Sequence, residues 1–319
     1  MPRLKKFSIA LTVKEALQKA SLDLKNAGLE KPFWEAELLM ALTLKTNRIK
    51  IISYPEKRIS ARQLQSFFKL VKKRKEHTPL AYLSGEKEFY GLKFLVNSNV
   101  LVPRPESELL VEEAWQEIKN LKKEQPKHPL YLIDIGTGSG CLAISLCKYA
   151  KITTLALDIS TKALSVAKKN AKLNKVKNIT FIKSDLLKKL PKSLLQKNLI
   201  ITANLPYLTP KEIAKEPSIK KEPVIALDGG YNGLDIYRRL FKEIKELKDF
   251  KEFKKLKEPK KVKIIKKNKE ENNQKIIVLC EINPRQKNPL IKIAKEEGSK
   301  KIEWKKDLAG KIRLVKIEF

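Results

Sequence analysis

The segment Ile133-Asp134-Ile135-Gly136-Thr137-Gly138-Ser139-Gly140-Cys141 constrains the fold more than any other. An apolar run ends in three closely spaced glycines, and a helical pattern opens straight after them. Glycine lets the chain turn tightly and lets a ligand approach the backbone. A strand, a glycine turn and a helix in that order form the start of a parallel α/β unit. Further strands are expected at 153–157, 179–182, 199–203 and 276–281, with helices at 141–150, 161–174 and 234–248. Segments 301–305 and 312–319 flank Asp307-Leu308-Ala309-Gly310 and read as a terminal hairpin. The whole predicts a mostly parallel sheet covered by helices on both faces.

The N-terminal part follows another period. Thr12-Val13-Lys14-Glu15 has the form of a capping box, and Val13, Ala16, Leu17, Ala20 and Leu24 continue it at helical spacing. A second helix is expected from Pro32 to Leu44 and a third after Ser60, with Leu64, Phe67 and Val71 on its apolar side. These stripes make a helix-bundle core. Phe89 to Val96 suggests a hairpin turning near Gly91. Pro103-Arg104-Pro105 then enforces an extended entry to the next helix. The expected division is a helical domain over 1–85, a hairpin and linker over 86–108, and an α/β domain over 109–319. Residues 249–274 are lysine-dense and read as a solvated, mobile insert.

The chain has 319 residues and a formal net charge of +33. Such a field favours acidic partners, so a weak nucleic-acid contact is one expectation. The excess is mostly lysine, in a chain also rich in Ile and Asn, so compositional bias explains it as well. Three cysteines without a Cys-x-x-Cys pair argue against a disulfide framework or a zinc site. No metal is expected, and the cytoplasm is the expected compartment. Two histidines, both in loop-like stretches, leave little from which to build a His-centred triad. No run is long and apolar enough for a transmembrane helix, and no signal peptide is read.

Candidate site residues sit where strands end. The glycine loop reads G-x-G-x-G, one residue short of the dinucleotide spacing, and no Gly-Lys-Ser/Thr follows it. Gly136, Thr137, Gly138, Ser139 and Gly140 are therefore the expected cradle of a smaller nucleoside cofactor. Asp158 ends the second strand and can accept from both ribose hydroxyls. Asp185 follows the third strand, placed to reach an adenine edge with Leu186 against the ring. S-adenosyl-L-methionine fits this set better than NAD, having one ribose, one adenine and no pyrophosphate.

After the fourth strand comes Asn204-Leu205-Pro206-Tyr207. The Asn204 side-chain oxygen and the Leu205 carbonyl can both accept from one NH2 group. Tyr207 offers a face for a flat amide or base, and Pro206 fixes the turn. These four residues are the expected catalytic and substrate-binding set, with Asn204 also at the cofactor.

With these motifs in place the chain resembles the PrmC/HemK family of protein-(glutamine-N5) methyltransferases. The likeness includes Pro79-Leu80-Ala81-Tyr82-Leu83-Ser84-Gly85, Leu101-Val102-Pro103-Arg104-Pro105-Glu106-Ser107-Glu108, the glycine loop, Asp158 and the Asn204 segment. It continues through Glu222-Pro223, Ala226-Leu227-Asp228-Gly229-Gly230 and Asp307-Leu308-Ala309-Gly310 with Arg313. The resemblance implies a Rossmann-like class I S-adenosylmethionine-dependent methyltransferase domain, with a seven-stranded sheet and an antiparallel terminal hairpin. It also implies a peptide chain release factor as partner, methylated on the glutamine of its Gly-Gly-Gln loop, with the helical domain recognising it. The chain departs from the family at Leu205, where a proline is usual, at Ser107 for a usual Thr, and near Glu281, where a glycine is usual. Asn-Leu-Pro-Tyr is typical of ribosomal RNA adenine dimethyltransferases, so an RNA adenine-N6 methyltransferase is the alternative reading. A non-catalytic ribosome- or RNA-binding protein on the same scaffold is the other.

Overall fold

The computed structural model describes residues 11–257 and 274–319. These fall into two units. The described residues up to Gly85, together with Glu216–Lys221, form one; Glu86–Lys215 with Glu222–Phe319 form the other. The hairpin and proline strap of residues 86–108 thus belong to the second unit.

The first unit is helical: α1 (Val13–Asn26), α2 (Pro32–Leu44), α3 (Arg48–Ser53), α4 (Ala61–Lys75) and α5 (Leu80–Ser84). Thr12 and Ser60 each close a capping box onto Glu15 and Gln63. Val13, Leu17, Leu24, Leu39, Met40, Leu64 and Phe67 fill the core. Arg74 spans to Glu35 with two hydrogen bonds, at 2.5 and 3.0 Å, so the buried carboxylate is paired.

The second unit opens with the antiparallel hairpin β1 (Glu86–Phe89) and β2 (Leu92–Leu95), then α6 (Glu108–Glu124). There follow β3 (Leu130–Ile135), α7 (Cys141–Ala150), β4 (Thr153–Asp158), α8 (Thr161–Leu173), β5 (Ile179–Lys183) and β6 (Asn198–Ala203). The chain ends through α9 (Pro210–Lys215), α10 (Asp235–Lys257), β7 (Ile276–Glu281), α11 (Lys287–Glu296), β8 (Lys301–Lys306) and β9 (Ile312–Glu318). The sheet order is β5-β4-β3-β6-β7-β9-β8. β3 to β7 pair in parallel and β9 joins antiparallel to both β7 and β8.

All six residues of β6 are buried, as are all six of β7. That is the near-continuous apolar run of a strand covered on both faces. Successive side chains point to opposite faces. Ile133, Leu199, Ile201 and Val278 therefore join one core with Tyr237, Phe241 and Leu290. Leu132, Ile200, Ile277 and Leu279 join the other, with Leu110, Val111 and the hairpin's Phe89 and Phe94.

Helix α10 runs on to Lys257, so the first part of the expected mobile insert is helical. No glycine or proline interrupts the chain before Pro259, and lysine is a fair helix former. The rest of that insert, residues 258–273, lies outside the described residues. Helix α11 was not among the expected helices. Its apolar positions Leu290, Ile293 and Ala294 are diluted by lysines. No helix among the described residues is long and apolar enough to cross a membrane.

The strand order decides where a site can form. From β3 the chain steps to β4 and β5 on one side, then returns to β6 and β7 on the other. The reversal leaves a crevice beyond the carboxyl ends of β3 and β6, where open α/β sheets bind ligands. Ile135 pairs with Ala203, so Gly136 and Asn204 leave the sheet side by side. Ala203 pairs with Cys280, which brings Glu281 level with Asn204.

Candidate active site

At that crevice lies a cavity of ≈ 250 Å³. Gly136, Thr137, Gly138, Ser139, Asp158, Asp185, Leu186, Asn204, Leu205 and Pro206 all line it. Residues from four strand ends, up to about seventy positions apart, thus converge on one cavity.

The glycine loop is held from beneath. Gly136 and Gly138 take φ of 68° and 55°, the left-handed region that favours glycine. A Cβ on Gly136 would come within 3.2 Å of the Leu205 side chain. Asp134, buried at the end of β3, accepts from the hydroxyls of Thr137 at 2.6 Å and Thr202 at 2.7 Å. Burial pushes its carboxyl up to about 6, against the pull of those two hydroxyls. The Thr137 amide donates to the Leu157 carbonyl at 2.9 Å. Thr137 lines the cavity, but its amide and hydroxyl both brace the loop.

Asp158 accepts from the Gly138 amide through Oδ2 and from the Ser160 amide through Oδ1, each at 2.8 Å. A carboxylate has about four acceptor positions. Each oxygen takes one of these two bonds, and acceptor capacity remains for a ribose diol. Burial raises its pKa, and the backbone donors at Ser160, Gly138 and Ile159 oppose the rise. Asp185 also lines the cavity, yet Arg239 grips its two oxygens at 2.7 and 2.6 Å and Lys188 adds a third contact at 2.6 Å. The Arg239 contact, followed by Lys188, holds its carboxyl below the usual range. Arg239 lines the cavity too, so an adenine edge would meet an ion pair there rather than a lone carboxylate.

Two expected site residues are not among the cavity-lining residues. Gly140 instead packs α7 against α8: a Cβ on it would lie 2.8 Å from Ile144 and 3.2 Å from Ala167. Its expected place in the cradle is corrected accordingly. Tyr207 is likewise absent from the lining and packs against the core on the β6–β7 side. Its carbonyl is held at 2.9 Å by the Gln286 amide, which also donates to Gly233 at 3.0 Å. That clamp, with Leu208 and Asp228 bridged in parallel, fixes the turn after Pro206.

Several residues that shape the site went unread in the sequence. The Tyr237 hydroxyl, fully buried on α10, lies 3.0 Å from the Ala203 carbonyl and 2.5 Å from that of Glu281. It accepts from the Leu205 amide at 3.4 Å. One phenol therefore ties the ends of β6 and β7 to the Asn204 turn. Tyr237→Phe is expected to lower stability by about 1–3 kcal/mol, because buried carbonyls lose their donor. Denaturant unfolding checks this, and an unchanged midpoint would count against the bridge. Glu222 accepts from the Val102 amide at 3.0 Å and from Arg104 at 2.5 Å, pinning the proline strap. Asn170 donates to the carbonyls of Leu95 and Ser139 and accepts from the Leu95 amide, joining hairpin to glycine loop. An Asn inside a helix is unfavourable by propensity, which was its only signal.

Asn204 itself donates from Nδ2 to the Ser107 hydroxyl oxygen at 3.0 Å. Ser107 donates in turn to Glu281 at 2.5 Å. With Nδ2 used, the atom left to accept at the end of the Asn204 side chain is Oδ1.

The sheet order, the glycine loop after β3 and the acid ending β4 define a class I S-adenosylmethionine-dependent methyltransferase. The hMettl16 catalytic domain, solved in complex with the MAT2A 3′UTR hairpin 1, shares the fold. Its TM-score is 0.51 at 15% identity, over 72% of this chain and 75% of that one. Residues 15–85 match the PrmC N-terminal domain model, and residues 115–210 match that of the ribosomal protein L11 methyltransferase (PrmA). The release factor glutamine methyltransferase of Clostridium acetobutylicum is 37% identical over 72% of this chain and 80% of its own length. That of Flavobacterium psychrophilum is 36% identical over 85% and 86%, and that of Bacillus subtilis 37% over 73% and 80%. The chain belongs to the release factor glutamine methyltransferase family.

Proposed function

We propose that the chain methylates the side-chain amide nitrogen, N5, of the glutamine in the Gly-Gly-Gln loop of peptide chain release factors. The observation that carries this reading is the Asn204 side chain, one N–H of its Nδ2 held by Ser107 and its Oδ1 left to accept, at a cavity that the glycine loop also lines. The residues present fit S-adenosylmethionine: positive-φ glycines open the loop, and Asp158 keeps acceptor capacity for a ribose. When bound, the cofactor supplies a methyl group activated by the neighbouring sulfonium.

An amide nitrogen is a poor nucleophile, because its lone pair is delocalised into the carbonyl. Asn204 Oδ1 and the Leu205 carbonyl grip its two N–H bonds and hold the nitrogen toward the methyl. Held there, the nitrogen would take that methyl, the N–C bond forming as the S–C bond breaks, and one of its N–H protons would pass to solvent. Positioning of this kind is worth roughly 7–11 kcal/mol when the reacting atoms are held near 3–3.5 Å. Leu205 keeps the carbonyl that the mechanism needs, and its side chain is buried in the core beneath the turn. The loss of a proline there is offset by the Tyr237 and Gln286 hydrogen bonds that fix the same backbone. Cys141 lines the cavity, but burial pushes its thiol up to about 12 and removes it as a competing nucleophile.

Transfer of radiolabelled methyl from S-adenosylmethionine tests the reading, with purified release factor and ribosomal RNA offered separately. Label enters the factor and is lost when its loop glutamine is replaced. Label entering RNA alone would overturn the substrate and favour adenine methylation. No affinity for the cofactor would favour the non-catalytic reading.

A further inference from the structure

The site contains a carboxyl group with no assigned task. Glu281 ends β7, is 4% exposed, and lies 174 residues from the serine it contacts. We propose that Glu281 and Ser107 are positioning residues that decide which end of the Asn204 carboxamide faces the substrate. The inference rests on the reading that Asn204 Oδ1 receives an N–H of the target amide.

The argument is one of hydrogen-bond direction. An ionised carboxylate only accepts. The single Ser107 hydroxyl proton must therefore point to Glu281, and the distance of 2.5 Å is that of a charge-assisted bond. What Ser107 then offers Asn204 is a lone pair, so Asn204 must turn its Nδ2 to it, as the 3.0 Å contact shows. The carboxamide's other end is Oδ1, the acceptor that an incoming NH2 group needs. Without this chain the two ends differ little in shape, and a half-turn would set Nδ2–H against the substrate N–H. Two donors facing each other cannot bond.

The surroundings suit an electrostatic relay. Burial and Glu106 raise the Glu281 pKa, while Ser107, Arg313 and Arg104 lower it, and the balance pushes it up to about 7. Tyr207, Tyr237 and Cys141 are the other titratable groups that feel its charge. All three have pKa values raised by burial, so they are neutral through that range. A protonated Glu281 can donate to Ser107, which reverses every bond in the chain. The ionised form is the competent one, so kcat rises with pH through about 7.

The test compares Glu281→Gln, Ser107→Ala, the double variant and Ser107→Thr with the unaltered chain. Methyl transfer to release factor and cofactor affinity are measured for each. Lost outer partners of a functional group cost roughly 10–100-fold. Each single variant should lose kcat in that range, with KM for the factor and cofactor Kd nearly unchanged. The double variant should lose no more than the worse single one, because the pair acts as one unit. Ser107→Thr, which keeps the hydroxyl, recovers most of the loss. The rise of kcat near neutral pH disappears in Glu281→Gln.

A second readout needs no release factor. The Asn204 side-chain NH2 signal, assigned by its absence in Asn204→Asp, should show one hydrogen protected from exchange, with that protection lost in Ser107→Ala and Glu281→Gln. Multiplicative losses, or an NH2 signal indifferent to both replacements, would overturn the relay while leaving the methyltransferase reading intact. A protected NH2 signal in a protein that transfers no methyl to release factor would retain the relay and overturn the substrate.

Discussion

Asn204→Ala is expected to lower kcat for release factor methylation by roughly 100–1,000-fold, the usual cost of removing one preorganised hydrogen-bonding group aimed at the reacting atoms. The change should fall on kcat. The gripping contact holds the nitrogen while it loses its share in the amide π system, so it matters most as the N–C bond forms. Cofactor affinity should change far less, since the glycine loop and Asp158 stand on β3 and β4 and do not depend on the Asn204 side chain. Stability should change little, because Asn204 is only partly buried and its one bond runs to Ser107, which keeps Glu281. Steady-state kinetics with cofactor titration separate these outcomes. A large fall in cofactor affinity with unchanged kcat would assign Asn204 to binding alone.

Asp158→Asn should have its main effect on the other substrate. The carboxylate braces the glycine loop through Gly138 and the next turn through Ser160, and keeps acceptor capacity beyond them. An asparagine has one acceptor atom and a donor where the second carboxylate oxygen stood. It cannot satisfy both backbone amides and a ribose diol. Hydrogen bonds to a charged group are worth about 1.5–3 kcal/mol each. Losing two corresponds to at least roughly a hundredfold in Kd. Calorimetric titration of S-adenosylmethionine, or of its demethylated product, measures this directly. A change within about threefold would show that Asp158 only shapes the loop.

Residues at strand ends proved the most readable part of this chain. Gly136, Asp158 and Asn204 could be placed because each follows an apolar run, and a parallel sheet gathers its carboxyl ends at one edge. The family likeness fixed their order but not their partners. Ser107 and Glu281, 174 residues apart, meet through the register of β6 with β7 and the strap before α6. No local pattern encodes that meeting. Arg239 reaches Asp185 from a helix 54 residues on, which changes the charge an adenine would meet. Gly140 and Tyr207 stand outside the cavity lining for a related reason. Motif membership says that a residue matters, but packing decides how. Gly140 is spent on the approach of α7 to α8, and Tyr207 on the core and the Gln286 clamp. Lysine density hid α11 and the end of α10, where charge masks the apolar period.

The most direct measurement is a crystal structure of the protein with the demethylated cofactor and a glutamine-containing loop of release factor. The predicted result places the glutamine N5 nitrogen within hydrogen-bond distance of both Asn204 Oδ1 and the Leu205 carbonyl, facing the sulfur across the cavity. A glutamine bound with its nitrogen elsewhere, or Asn204 turned with Nδ2 toward it, would contradict the account.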